Sequence, residues 1–335
     1  MQNELFDGLD KLLTGADVPT KIRAAMDSPD FNPLWQPLQE SGYLDVLLPQ
    51  TQGGAGLGWR EAWEVLFACG RHGLPVPVGS TLFGRALLAE LGQPCPVGPL
   101  SGSGFGWRDT AGSLVVRDLP AAMLASHALV QDQDAVYLLP LSAATLTSTG
   151  GKGSFDAQAS WDRDVVDESL VGTADKGLLR HGLALALAVE LAGVADRVLS
   201  LTLKYASDRE QFGKPIGKFQ ALQQQISEMA ERVYGARMAS QIGCQTESWR
   251  PVLLAAAVAK AQTSAVAPRI AAIAHAVHAA IGVTFEYDLQ LYTRRLYEWA
   301  RVGGGADYWA REVGQTALSE PDLLGFMRQH VFQEA

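Results

Sequence analysis

The order of hydrophobic and polar positions divides the chain into three stretches. From Leu5 to about Leu91 apolar residues recur every three or four positions, which predicts α-helices. From Pro94 to Val171 short apolar runs alternate with Gly, Asp and Ser clusters, a pattern typical of strands and turns. From Asp175 onward the stretches are long, rich in Ala and Leu, and helical in period. The pattern predicts a mainly α protein with a small central β domain.

Gly and Pro residues interrupt the last stretch and separate its helices. We expect an antiparallel four-helix bundle with helices at about 176–208, 218–247, 252–281 and 286–302, and a final helix over 306–318. The expected domains are an all-α unit at 1–93, a β unit at 94–172 and the bundle at 173–335.

Composition excludes several classes of partner. The chain has 335 residues, 47% of them hydrophobic, which is enough for a large core. Its formal net charge of -9 disfavours a nucleic-acid binder, because phosphate contacts need a basic face. The cysteines, Cys69, Cys95 and Cys244, are odd in number and widely spaced, so neither a disulfide framework nor a zinc site is expected.

The sequence favours a cytoplasmic location. The acidic start of the chain does not resemble a secretory signal, which would be basic and then apolar. The most apolar stretch, Val252 to Ala267, contains Lys260 and falls short of the run of about 18 apolar residues that a membrane span needs. We therefore expect neither export nor a membrane partner.

The most informative segment runs from Tyr205 to Gln220, between the first two bundle helices. Here Gly213 and Pro215 are expected to end one helix, Gln220 to open the next, and Arg209 to lie on the corner between them. Such a corner can present a guanidinium and backbone N–H groups to a phosphate. The segment therefore predicts an anion-binding corner.

The full string, Tyr-x-x-x-Arg-x-x-Phe-Gly-x-x-Ile-x-x-Phe-Gln, resembles the segment with which acyl-CoA dehydrogenases hold FAD across a subunit interface. Two further segments, Trp35 to Leu57 and Gly282 to Arg295, are similar to that family in the same order along the chain. No GxGxxG dinucleotide fingerprint is present, as such an extended FAD site implies. The resemblance implies FAD as cofactor, with Arg209 on its diphosphate and Phe212, Gly213 and Gln220 shaping the adenosine side.

The resemblance also implies a reaction. In that family a carboxylate removes the α-proton of an acyl-CoA while the β-hydrogen leaves as hydride to FAD, and the base must lie beside the thioester. Its two usual positions correspond here to Gly303 and Leu183, and neither carries a carboxylate. The chain is therefore expected to have no catalytic residue of its own.

Other departures point the same way. Where the family has a Gln and a Gly pair that receive FAD from the neighbouring subunit, the chain has Ala276 to Gly282 with Ala in their place, and the β unit lacks the family's Thr-Glu-Pro string. The pattern resembles the short, non-base subunit of heteromeric (α2β2) acyl-CoA dehydrogenases of bacterial steroid side-chain degradation. That resemblance implies an acyl-CoA substrate, a second acyl-CoA dehydrogenase-like subunit that supplies the catalytic Glu, and an electron acceptor.

Two alternatives stay open at this stage. A gapped alignment moves Asp307 to the base position and would give a self-sufficient homomeric enzyme. A non-catalytic structural subunit would bind neither FAD nor substrate.

Three other polar residues have a structural explanation from the sequence. His275 and His278 lie three apart on an Ala-rich helix with no third ligand nearby, so no metal site is expected. Glu190 lies on an apolar run, where an unpaired carboxylate would be costly, and is expected to face solvent or an Arg.

Overall fold

The computed structural model describes residues 4–27, 30–151, 153–319, 322 and 325. The first part is helical, as predicted. Its helices are α1 (Glu4–Gly15), α2 (Val18–Asp27), α3 (Asn32–Ser41), α4 (Trp59–His72) and α5 (Val78–Glu90). The start of α4 is fixed by Glu61, whose Oε2 accepts the N–H of Gly58 at 3.2 Å, and the helix ends at Gly73 in the left-handed conformation (φ 63°).

The middle of the chain forms two four-stranded sheets. Their strands are β1 (Leu100–Ser103), β2 (Trp107–Arg108), β3 (Leu114–Leu119), β4 (His127–Asp132), β5 (Ala135–Pro140), β6 (Thr145–Ser148), β7 (Ala157–Trp161) and β8 (Leu170–Thr173), with α6 (Arg163–Glu168) before the last. One sheet has the order β1-β4-β5-β8 and the other β2-β3-β7-β6, and β1 pairs with β4 in parallel. The sheets enclose a separate small core around Trp161, which confirms a central β region.

The rest of the described chain is a helical bundle. It consists of α7 (Leu178–Asp208), α8 (Gln220–Gly243), α9 (Leu253–His278), α10 (Leu289–Arg301) and α11 (Ala306–Ser319). The predicted ranges agree with these bounds to within a few residues because the Ala- and Leu-rich periodicity is strong. The first bundle helix ends at Asp208, as its predicted range has it, but the role given to Gly213 and Pro215 was wrong, since they belong to a hairpin of β9 (Glu210–Gln211) and β10 (Lys214–Pro215). The division into three domains stays a prediction.

The central helix of the bundle is α9. By length and composition alone, the segment Leu253–Val283 could cross a membrane, which the sequence analysis did not expect. Half of its most apolar window is buried in the bundle, and Lys260 within it is fully buried. Its contacts with α7, α8, α10 and α11 make it a core element of this fold.

The backbones of α4 and α7 pack in direct contact. A Cβ atom on Gly70 would lie 2.2 Å from the carbonyl oxygen of Glu190, and one on Gly193 would lie 2.3 Å from the carbonyl oxygen of Phe67. The start of α5 approaches α7 in the same way, because a Cβ on Gly79 would lie 2.7 Å from the Cβ of Ala186. Glycine is required at these places, and it positions the first helical unit on the bundle.

Two ionisable side chains are buried in the bundle, one on α7 and one on α9. Glu190 of α7 accepts the N–H of Gly79 through Oε1 at 3.2 Å, and the Nζ of Lys260 donates to the carbonyl of Trp299. Desolvation raises the pKa of Glu190 to about 8 and lowers the pKa of Lys260 to about 7, although each charge opposes the other's shift. The expectation that Glu190 faces solvent or an Arg was wrong, since a backbone N–H satisfies it.

The close contact between α4 and α7 predicts a steric penalty for any side chain at Gly70. Gly70→Ala should lower the free energy of unfolding by about 2 to 3 kcal/mol, because the added methyl group meets backbone that cannot rotate away. Urea titration followed by circular dichroism measures this change. The control is Gly314→Ala on α11, where a Cβ meets open space and should be neutral or stabilising.

The buried carboxyl group predicts a pH-dependent stability. Because the native pKa of Glu190 is raised to about 8, the native state holds a proton that the unfolded state loses above its ordinary pKa, so stability falls as pH rises from about 5 to 8. Glu190→Gln should remove this loss. The free energy of unfolding of the variant, relative to that of the wild type, should therefore rise by at least about 1 kcal/mol between pH 5 and pH 8. A stability difference that is constant with pH would contradict the assignment.

Candidate active-site cleft and cofactor surface

A cleft lies where the two helical units and the β unit meet. It contains about 680 Å³ of empty space, part of it continuous with solvent. Its walls come from the loop between α4 and α5, the loop after β1, one face of α7 and the end of α10. Apolar side chains on these walls include Val76, Phe105, Phe155, Leu187, Trp299 and Val302. The cleft is therefore suited to an apolar ligand that enters between the units.

Both positions that the family resemblance gives for a catalytic base line this cleft. Leu183 lies on α7, and Gly303 follows α10 with φ 68°. A Cβ on Gly303 would lie 3.3 Å from Cδ1 of Leu187, one helical turn beyond Leu183. Segments 120 residues apart therefore converge on one place, and neither of the two residues carries a carboxylate.

Three carboxyl groups do line the cleft, all of them elsewhere. Glu190 lies two helical turns beyond Leu183 on α7, and Asp118 and Asp156 belong to the β unit. Asp156 is buried, accepts the N–H of Ala121 through Oδ1 at 2.8 Å, and has its pKa raised to about 6, mainly by desolvation. That hydrogen bond holds Asp156 to the turn after β3.

The two cleft arginines are paired with acids of their own. Arg180 lies 3.1 Å from Glu312 of α11, and its guanidinium lies over the rings of Phe105 and Tyr308. Arg295 lies 2.6 Å from Glu298 and is almost completely buried. The Arg180 pair fastens α11 to α7, the Arg295 pair lies within α10, and both pairs leave little net positive charge in the cleft.

Asp307 is not brought to the cleft. Its side chain is exposed in the first turn of α11, and its backbone carbonyl accepts a hydrogen bond from Nε of Arg311 at 3.1 Å. It occupies the position of a solvated residue near a helix N-terminus, where an acidic side chain is favourable.

The predicted cofactor residues lie on the hairpin between α7 and α8. Phe212 and Gly213 form its two-residue turn with φ 51° and 77°, which are values typical of a type I′ turn. Phe212 is 92% exposed, and a bulky side chain at positive φ is strained. Arg209 and Gln220 flank the hairpin and are exposed. The segment thus presents its motif residues on the protein surface, where they are accessible to a ligand or a partner chain.

A free guanidinium at this place fits a diphosphate. Among the described residues Arg209 forms no ion pair or side-chain hydrogen bond, while its backbone carbonyl accepts the N–H of Ile216 at 2.8 Å. The backbone is fixed and the charge is available, which is the arrangement that phosphate binding requires. The residues present therefore fit FAD in the role that the motif predicts, and the assignments of Arg209, Phe212, Gly213 and Gln220 stay predictions.

The end of α9 packs beside this hairpin. The ring of His278 stacks on Tyr205, with centroids 4.4 Å apart, which joins the motif to the segment where the family has a Gln and a Gly pair. Directly afterwards Ala279 has φ 53° and ψ −140°, a conformation that favours glycine. Because the residue is Ala, this turn is strained.

One contact at this surface carries no sequence signal. Arg23 of α2 donates through Nη2 to the carbonyl of Glu286 at 2.9 Å and forms an ion pair with Asp288 at 2.6 Å. The partners are more than 260 residues apart, and an exposed-looking Arg in an N-terminal helix gives no hint of them. The structure shows that α2 holds the turn that follows α9.

Comparison with known proteins agrees with this geometry. The family model "Acyl-CoA dehydrogenase, C-terminal domain" matches residues 179–318. Acyl-CoA dehydrogenase IpdE2 of Mycobacterium tuberculosis (strain ATCC 25618 / H37Rv) is 30% identical over 300 residues, which cover 85% of this chain and 87% of that protein.

Two solved structures have the same fold. A chain of the ChsE4-ChsE5 complex from Mycobacterium tuberculosis aligns with a TM-score of 0.83 and 23% identity, over 96% of this chain and 98% of that one. A chain of the Tcur3481-Tcur3483 steroid ACAD aligns with a TM-score of 0.76 and 24% identity, over 94% and 96%. The chain belongs to the acyl-CoA dehydrogenase family, whose members are FAD-dependent oxidoreductases acting on the CH–CH group of acyl-CoA thioesters.

Proposed function

We propose that this chain is one subunit of a heteromeric acyl-CoA dehydrogenase in which an unlike partner supplies the catalytic carboxylate. One observation carries the proposal. Both base positions, Leu183 and Gly303, line the same cleft without a carboxylate, while the cofactor hairpin around Arg209 is intact. The chain has kept the hairpin proposed to hold the FAD diphosphate and lacks the part that removes a proton.

The residues of this chain would bind and orient FAD. Arg209 would neutralise the diphosphate, and Phe212, Gly213 and Gln220 would contact the adenosine side. When bound, FAD supplies the hydride acceptor for the β-hydrogen of the acyl group. The exposure of Phe212 supports this role, because a strained and solvated aromatic ring is retained more readily where a ligand or partner covers it.

The helical bundle of this chain has an exposed apolar surface on which a partner subunit would pack. Tyr234, Met238 and Ile242 recur every four residues on α8 and are all more than half exposed, so they form an apolar stripe along the outside of the bundle. The names of the structural neighbours, ChsE4-ChsE5 and Tcur3481-Tcur3483, each join two different chains. A second acyl-CoA dehydrogenase-like subunit is thus the proposed partner, in an α2β2 complex.

The substrate and acceptor belong to the same proposal. The likeness to the Tcur3481-Tcur3483 steroid ACAD supports a steroid side-chain CoA thioester as substrate. The reduced flavin would pass its electrons to a separate electron-transfer protein. The complex is proposed to act in the cytoplasm.

Co-expression tests the proposal directly. The chain would be produced alone and together with the acyl-CoA dehydrogenase-like chain encoded beside it, and flavin absorbance and acyl-CoA-dependent dye reduction would be recorded. Flavin and activity are expected only in the co-purified sample, at one FAD per pair of chains. Activity from this chain alone would overturn the proposal and direct attention to Asp307, and a colourless, inactive pair would favour a structural subunit.

Removal of the free guanidinium should weaken cofactor binding. Arg209→Leu in the co-purified complex should lower FAD affinity by about 10- to 100-fold, since a charge-assisted hydrogen bond contributes about 1.5 to 3 kcal/mol. Retention of flavin after dialysis measures the loss, and size-exclusion chromatography shows whether assembly is intact. Arg163→Leu, at an exposed arginine of the β unit, is the matched control and should keep its flavin.

A further inference from the structure

The cofactor hairpin carries a second cation that the family motif does not specify. Lys214 opens β10, and its position is one of the variable places in the string from Tyr205 to Gln220. Its side chain is oriented, because Nζ lies 4.4 Å from the centroid of the Phe219 ring. The residue is nevertheless exposed, and it forms no ion pair with the part of the chain that the structure describes. The charge of Lys214 is therefore held in place and available to a ligand.

The strand register places this charge on the same face of the hairpin as Arg209. Gln211 pairs with Lys214, and the N–H of Ile216 donates to the carbonyl of Arg209 at 2.8 Å, which continues the ladder beyond β9 and β10. Side chains directly opposite each other in an antiparallel pair lie on one face, and side chains alternate along each strand. Arg209 and Lys214 are therefore diagonal neighbours on one face, with Cα atoms about 7 to 8 Å apart, within reach of one another for long side chains.

The acidic residue of the hairpin lies on the opposite face. Glu210 follows Arg209 directly, so its side chain alternates to the other side, which it shares with its ladder partner Pro215. Pro215 and Lys218 line a groove between α7 and α8 on that side. The hairpin thus separates its charges, with two cations on one face and a carboxylate on the other.

Two neighbouring cations repel each other, and an anion that contacts both removes this repulsion. The diphosphate of FAD carries two negative charges on adjacent phosphates, and it is the charged part of that cofactor. We propose that Lys214 binds the FAD diphosphate together with Arg209, so that each cation contacts one phosphate. This assignment rests on the proposed function, because it takes the hairpin as the surface on which FAD lies. It adds a binding residue at a position that the motif leaves open.

The test uses the co-purified complex with FAD bound. Serial dilution followed by flavin fluorescence gives the dissociation constant of FAD. Lys214→Met removes the charge from a side chain of similar length and should raise that constant about tenfold or more, whereas Lys214→Arg keeps the charge and should stay within about threefold of the wild type. Because Lys214 is exposed, the variants should assemble like the wild type, which size-exclusion chromatography checks.

The matched control removes a nearby lysine from the other side of the hairpin. Lys218 is exposed and lines the groove beside Pro215, so Lys218→Met changes the net charge by the same amount and should leave the dissociation constant of FAD unchanged. This control separates a direct contact with the diphosphate from a general loss of positive potential around the hairpin.

The outcomes are distinct. A Lys214→Met complex that binds FAD as tightly as the wild type, while Arg209→Leu releases it, overturns the assignment of Lys214 and leaves the proposed function intact. An equal loss in Lys218→Met or in Lys214→Arg overturns it as well, because a direct contact of the Lys214 charge would then not explain the loss. A wild-type complex that carries no flavin would overturn the proposed function and this assignment together.

Discussion

The direct backbone contact between α4 and α7 is the constraint on which the rest of the structure depends. Helices usually meet through their side chains, but Gly70 and Gly193 allow these two to touch main chain to main chain. Because α7 also forms one wall of the cleft and ends at the cofactor hairpin, this contact sets the position of both sites relative to the first helical unit. A small shift at the glycines would move both sites together.

Burial of charge is the second organising feature. Glu190 and Lys260 are buried where apolar side chains would avoid the free-energy cost of desolvating an ionisable group. Each forms a hydrogen bond with a backbone group instead of a surface ion pair. Of the cleft arginines, by contrast, Arg180 is paired with Glu312 on the neighbouring helix α11, and Arg295 is paired with Glu298 on its own helix α10. The cleft is consequently lined mainly by apolar side chains, and its carboxyl groups lie away from the two positions, Leu183 and Gly303, where the family has its base.

Much of this arrangement could be predicted from the sequence, and the reasons for success and failure are physical. The bundle helices follow from local periodicity, and the base positions follow from the family resemblance, counted along the chain from the matching motifs. The hairpin at Phe212 could not be foreseen as a pair of strands, because two-residue strands leave no alternating pattern and a Phe at positive φ contradicts local preference. The environment of Glu190 was misjudged for a related reason. Its partner is the backbone N–H of Gly79, and backbone donors have no sequence signature.

The glycine at the position of the family's base has a consequence for the history of the chain. Gly303 has φ 68°, and a side chain there would also press on Leu187. Once the loop had settled into a conformation that only glycine adopts easily, a single substitution could no longer restore a carboxylate without strain of about 1 to 2 kcal/mol. The backbone conformation thus opposes the return of a carboxylate at this position. In the proposed heteromer, dependence on the partner subunit would then be difficult to reverse, and the genes of the two chains are expected to stay together.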